Sequence, residues 1–162
     1  MYFQDESGFS LTPVVPYAWQ YRGQTKLLRS EMSQRLNVLG FLSPNKSWKS
    51  ILFQGSIDAS CFIQTIEQLF PVVEKETWIV TDNSPIHKNN AVKEKINVWA
   101  KRKLYLFFLP TYSPHLNPIE IVWRFIKYNW LPFNAYQSFK NLSYELEFIL
   151  KNIGSKYLIN FV

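Results

Sequence analysis

Apolar positions recur along this chain in two rhythms, and the change from one to the other lays out its elements. Short runs come first. Met1-Tyr2-Phe3-Gln4 reads as a strand that meets Asp5-Glu6 at once. Arg35 to Leu42 (RLNVLGFL) and Ser50 to Ile57 (SILFQGSI) read as two more strands, with Ser43-Pro44-Asn45-Lys46 as the turn between them. Thr77 to Thr81 (TWIVT) is β-branched and aromatic and predicts a buried strand ending at Asp82. Leu104 to Leu109 (LYLFFL) predicts another, stopped by Pro110. The second rhythm is helical. Phe62, Ile63, Ile66, Leu69 and Phe70 share one helix face, with Asp58 at the N-cap and Pro71 as the limit. Val92, Ile96 and Trp99 mark a helix over about Asn90 to Arg102. Asn117-Pro118 opens a third, with proline at the first helical position. Phe139, Leu142, Leu146, Ile149 and Leu150 mark a fourth. Between Gly8 and Gln24 the text is rich in Pro, Tyr, Trp and Gly, and reads as a loop or irregular hairpin.

Three early strands followed by strand–helix alternation predict an α/β protein, a mixed five-stranded sheet flanked by helices. That is the element order of the ribonuclease-H-like fold. No repeat or low-complexity tract interrupts it, so residues 1–162 are expected to form a single domain. The abrupt start on a core strand leads to the expectation that an N-terminal portion is missing or separately encoded, and that the first strand is short.

Composition adds a little. Thirteen Phe, nine Tyr and six Trp make the core heavy in rings. Eighteen basic against twelve acidic residues give a net charge of +6, which suits a handler of polyanions but is shared by many other proteins. Cys61 is the only cysteine, which excludes an internal disulfide and a cysteine-built zinc cluster and suits a reducing cytoplasm. No apolar run approaches the ~20 residues of a membrane-spanning helix, and no signal peptide is visible.

Three carboxylates stand at informative places. Asp5 and Asp82 each close a predicted strand, and Glu120 lies in the first turn of the helix after the fifth strand. Sites in open sheets form beyond the carboxyl ends of strands, so the three can meet there. A carboxylate set without His or Cys is a hard oxygen site suited to Mg²⁺ or Mn²⁺, and two such ions can assist phosphodiester cleavage. Each position also has a local reading. Asp5 precedes the turn-like Ser7-Gly8, Asp82-Asn83-Ser84-Pro85 can end a strand, and Asn117-x-x-Glu120 fits a capping box. Spacing alone leaves both readings open.

The wording of three segments is more specific. Phe3-Gln4-Asp5-Glu6-Ser7-Gly8-Phe9, Trp78-Ile79-Val80-Thr81-Asp82-Asn83 with His87 downstream, and the block from Leu109 through Ser113-Pro114-His115-Leu116-Asn117-Pro118-Ile119-Glu120 to Trp123 and Lys127 follow one another in order. Together they resemble the motifs of mariner-type bacterial insertion-sequence transposases of the DDE superfamily, over Met1 to about Trp130. The resemblance implies a metal-dependent DNA endonuclease and strand transferase with Asp5, Asp82 and Glu120 as its triad. It implies that Asp5 is shared by two Mg²⁺ (or Mn²⁺) ions and that Asp82 and Glu120 each complete one. Its DNA partners are transposon ends and target DNA, handled by a homodimer when two ends are paired. The helix-turn-helix segments usual ahead of such a domain are absent, so a separately encoded helix-turn-helix polypeptide is an expected partner. The expected location is the cytoplasm, on the nucleoid when DNA is bound.

Accessory residues carry weaker expectations. Arg124 and Lys127 share the helix face of Glu120 and can meet phosphate, or form an ordinary solvated face. His87 can steady a phosphate or the Asp82 loop, or cap the next helix. Trp123 is expected to pack beneath the site. Arg22, within Tyr17-Ala18-Trp19-Gln20-Tyr21-Arg22-Gly23, stands among rings as strand-contacting loops do, although a folded surface loop reads the same way. Glu6 faces away from Asp5 if the strand continues. Two other functions fit the same text: a structure-directed nuclease of the same fold, and a catalytically silent fragment that only binds DNA or protein. Metal dependence and triad substitutions separate the last from the others; flanking inverted repeats separate the first two.

Overall fold

The computed structural model describes residues 1–12, 21–23, 34–111 and 113–159. Five strands, β1 (Tyr2–Ser10), β2 (Arg35–Leu42), β3 (Trp48–Gln54), β4 (Thr77–Thr81) and β5 (Leu104–Phe108), form one sheet in the order β3-β2-β1-β4-β5. The first three are antiparallel neighbours, whereas β4 lies parallel to both β1 and β5. Helices α1 (Ala59–Leu69) and α2 (Asn90–Lys101) connect β3 to β4 and β4 to β5. Helix α3 (Ile119–Phe125) runs directly into a π-helical turn, Ile126–Trp130, and α4 (Phe139–Lys151) follows. The result is the expected mixed, helix-flanked sheet of the ribonuclease-H-like fold.

Two apolar clusters lie on opposite faces of the sheet. One packs Leu39, Phe41 and Ile79 against Phe62 and Ile66 of α1 and Val92 and Trp99 of α2. The other packs Phe9, Val38 and Leu42 against Ile119, Val122 and Trp123 of α3 and Leu142, Leu146 and Ile149 of α4. Strand β2 therefore feeds both clusters, odd residues to one and even residues to the other, as the period of two requires. The α1 and α4 stripes follow the helical period read from the sequence. Asp58 caps α1, accepting from the Cys61 amide at 2.8 Å. Ser138 caps α4, accepting from the Asn141 amide at 3.1 Å. Ser138→Ala should lower unfolding free energy by ~1 kcal/mol, read as a fall in the urea midpoint at unchanged slope.

Two strand boundaries differ from the sequence reading. β1 does not stop at Asp5 but continues to Ser10, so it is not short and Asp5 sits mid-strand. Glu6-Ser7-Gly8 has no apolar alternation to announce this; pairing does the work, since Phe3 to Ser10 align with Leu42 back to Arg35. Gly8 is accommodated because Arg35 fills its missing side chain: a Cβ there would lie 2.0 Å from Arg35 Nη2. The segment read as a loop from Gly8 thus begins as strand, and most of its remainder lies outside the described residues. β3 starts at Trp48 rather than Ser50 and ends at Gln54 rather than Ile57. Gly55, at φ +91°, turns the chain away there.

Candidate active site

The parallel register of β1 and β4 pairs Tyr2 with Ile79 and Phe3 with Val80. Continued two residues, it sets Asp5 level with Asp82, the first residue beyond β4. Asp5, Asp82 and Glu120 line one pocket of about 330 Å³, with Asn83, Thr111, Ser113 and Asn117 on its walls. The two loops that frame it are tied together, because the Asn83 side-chain amide donates to the Leu109 carbonyl.

Glu120 reaches the pocket through the way α3 is launched. Asn117 is buried, and its side-chain amide donates to the Gln4 carbonyl of β1 at 3.0 Å. The start of the helix is thereby anchored to the strand that carries Asp5. Asn117 does not form the capping box that its spacing allowed. The cap position is Pro118, without a side-chain bond, and the Glu120 carboxylate is exposed to the pocket.

The first two carboxylates occupy opposite electrostatic settings. Burial raises the Asp5 pKa from 3.8 to about 6. The Glu6 amide and the Trp123 indole pull it down, while the charges of Asp82 and Glu120 push it up. Asp82 is held below the usual carboxylate range, chiefly by its hydrogen bond with His87, and the Ser84 amide donates to it at 2.9 Å. Glu6 alternates to the other face of β1, does not line the pocket and is raised by partial burial.

His87 is neither at the surface nor at the head of α2. It is 2 % exposed, and the cap of α2 is Asn89. Its Nδ1 lies 2.8 Å from Asp82 Oδ1 and 3.0 Å from Thr81 Oγ1. Since a carboxylate can only accept, Nδ1 carries the proton. Thr81 in turn donates to the buried Gln4 side chain. Of the roles open to His87 in the sequence, a hold on the Asp82 loop is the one its contacts match; a phosphate cannot reach so buried a ring.

The basic residues flank the pocket unequally. Lys127 is half-buried, its Nζ 5.3 Å from the Phe9 ring centroid, and burial with the nearby Arg35 charge lowers its pKa while Asp5 raises it. Arg124 and Arg22 are exposed, and Tyr17 to Gln20 lie outside the described residues. Arg35 was missed in the sequence, where it looked like an ordinary strand-opening residue. Its guanidinium lies over Gly8, and its charge is felt at Lys127. Trp123 packs beneath the site as expected, and adds an unforeseen bond: its Nε1 donates to Asp5 Oδ2 at 3.0 Å.

The donor chemistry fits divalent cations. Three carboxylates share a pocket, an all-oxygen set that suits hard divalent ions, and the charges of Asp82 and Glu120 are among the causes that raise Asp5. Among the described residues no three ligand side chains gather round one point.

A ribonuclease-H-like sheet with acidic residues at adjacent strands and on the following helix defines the class of nucleases and transposases built on this fold. A family model described as DDE superfamily endonuclease matches residues 1–143, and the chain belongs to that family. It is 26% identical over 129 residues to the "Insertion element IS630 uncharacterized 39 kDa protein" of Shigella sonnei, covering 76% of this chain and 36% of that protein. Among solved structures it resembles the Mos1 strand transfer complex (TM-score 0.63, 15% identity, 93% of this chain and 46% of that one). It also resembles the Mos1 mariner paired-end complex with Mn (TM-score 0.64, 14% identity, 96% and 49%). The chain thus spans about a third to a half of the length of these relatives. No helix among the described residues is long and apolar enough to cross a membrane.

Proposed function

We propose that this chain is the catalytic domain of a cut-and-paste DNA transposase, performing metal-dependent strand cleavage and strand transfer, with Asp5, Asp82 and Glu120 as its metal-holding triad. The observation that carries the reading is the shared pocket of the three carboxylates, brought together from β1, the end of β4 and the first turn of α3. When bound, a pair of Mg²⁺ or Mn²⁺ ions supplies Lewis acidity at a phosphodiester. The residues do the rest. Asp5, Asp82 and Glu120 would hold the ions: Asp5 is the most enclosed of the three, Asp82 is aimed by His87, and Glu120 closes the site from α3. Lys127 meets DNA phosphate on the Phe9 side, with Arg35 over Gly8 and the exposed Arg124 and Arg22 as further contacts.

Residues 1–162 act in this reading as one catalytic domain. Recognition of transposon ends falls to helix-turn-helix segments outside them, in the same or another polypeptide. Two copies act together when two ends are paired, on the nucleoid in the cytoplasm. Double substitution of Lys127 and Arg35 by Ala should weaken duplex binding at all sequences and reduce the salt slope of log K by about two, measured by fluorescence anisotropy between low and moderate salt.

The test of the function is nicking of supercoiled plasmid by the purified chain with Mg²⁺ or Mn²⁺. Nicked circles that disappear with chelator are expected. A folded protein that cuts nothing, even with terminal-repeat DNA and an added helix-turn-helix polypeptide, would favour a silent binding fragment.

A further inference from the structure

Gly40 lies directly opposite Asp5 in the β1–β2 register. A side chain at that position would have no room. A Cβ on Gly40 would stand 2.5 Å from Trp48 Cη2, 2.7 Å from Trp123 Cη2 and 2.8 Å from Trp123 Cζ2. The glycine is present for close approach, since its backbone φ is not in the left-handed region. Over its bare α-carbon the Trp123 ring lies edge-on to Trp48 at 5.4 Å and to Phe9 at 6.4 Å, and is only 5 % exposed. Its indole N–H points at Asp5, 3.0 Å from Oδ2. Trp123 stands one helical turn beyond Glu120, so α3 delivers one triad member to the pocket and the support of another beneath it.

We propose that Gly40 and Trp123 are a positioning pair for metal binding: the glycine seats the indole, and the indole N–H fixes the direction in which the Asp5 carboxylate faces Asp82 and Glu120. This rests on reading the three carboxylates as a divalent-metal site. An isolated aspartate at mid-strand can rotate about χ1 and χ2. Holding one oxygen to a rigid, packed donor removes that freedom before the metal arrives, which is how outer partners tune metal ligands. Any buried indole needs some acceptor, so a purely structural role predicts the same bond. The two differ in what its loss does to metal affinity.

Trp123→Phe keeps a ring in the slot and removes the donor. Mn²⁺ binding to the full chain, followed by the electron paramagnetic resonance signal of free Mn²⁺ well below the melting temperature, should weaken ~10-fold or more. Gly40→Ala should weaken it similarly by displacing the indole. Combined with Trp123→Phe it should add little, because the second change acts through a bond already lost. Trp130→Phe, an aromatic swap away from Asp5, should leave affinity unchanged. Wild-type affinity in Trp123→Phe, with only the melting temperature lowered, overturns the positioning role and leaves the metal site standing. Full additivity of the two losses overturns the coupling of Gly40 to Trp123. A folded wild-type chain that binds no Mn²⁺ at millimolar concentration removes the metal reading itself, and this inference with it.

Discussion

Asp82→Asn and Glu120→Gln, each alone, should reduce metal-dependent nicking by roughly a thousandfold or more, the scale on which losing one member of a catalytic set is felt. Both replacements are isosteric and remove a charge from a partly open pocket, so neither should disturb the fold. Asp82 receives bonds from His87 and from the Ser84 amide, and an Asn oxygen can still accept from both. Glu120 is exposed and makes no cap bond, so its loss costs α3 little. Circular dichroism should match wild type in both; the urea midpoint should hold in Glu120→Gln and fall modestly in Asp82→Asn, which loses the charge that His87 favours, while nicked circles vanish. Activity retained by either variant would remove that residue from the triad. A fall in activity matched by loss of folded protein would mean the carboxylate is structural after all.

Asp5→Asn is expected to do two opposite things: abolish nicking and stabilise the metal-free protein. The enclosed Asp5 carboxylate titrates near pH 6 in the folded chain against an ordinary value of 3.8. A carboxyl with a raised folded pKa binds more protons folded than unfolded, so its contribution to stability falls as pH rises between those values. The penalty is absent below about 3.8 and complete above about 6. The raised value corresponds to roughly 3 kcal/mol at most; with the pocket open to water we expect ~2 kcal/mol, or several degrees in melting temperature. Thermal melts in chelator at pH 7.5 should therefore favour Asp5→Asn, and the gap should close toward pH 4. Adding Mn²⁺ should reverse the ranking, because a ligand that binds only the folded wild type stabilises it alone. Equal melting at every pH would mean that Asp5 is better solvated than its surroundings suggest.

Much of this protein was legible before its structure. The strand at Thr77–Thr81, the α1 and α4 stripes and the element order followed from periodicity, because each element buries one face and the pattern records which. Motif wording singled out the three carboxylates as candidates, whereas spacing left them tied with local turn and cap readings. The Asn117–Glu120 case shows why. The same four residues fit a capping box and a pocket-facing carboxylate, and only the bond from Asn117 to Gln4 on another strand takes Asn117 out of the box.

What the sequence determined alone is local: which segments are strand or helix, where the acidic residues fall along them, and the family its motifs resemble. Tertiary structure decided what depends on neighbours distant in the chain. It extended β1 past Asp5, because hydrogen bonds to β2 outweigh the weak strand propensity of Glu6-Ser7-Gly8. It set Arg35 across Gly8 and laid Trp123 over Gly40 to reach Asp5. Each of these is a contact between residues on different elements, fixed by strand register and helix placement, and no pattern within either segment carries that information.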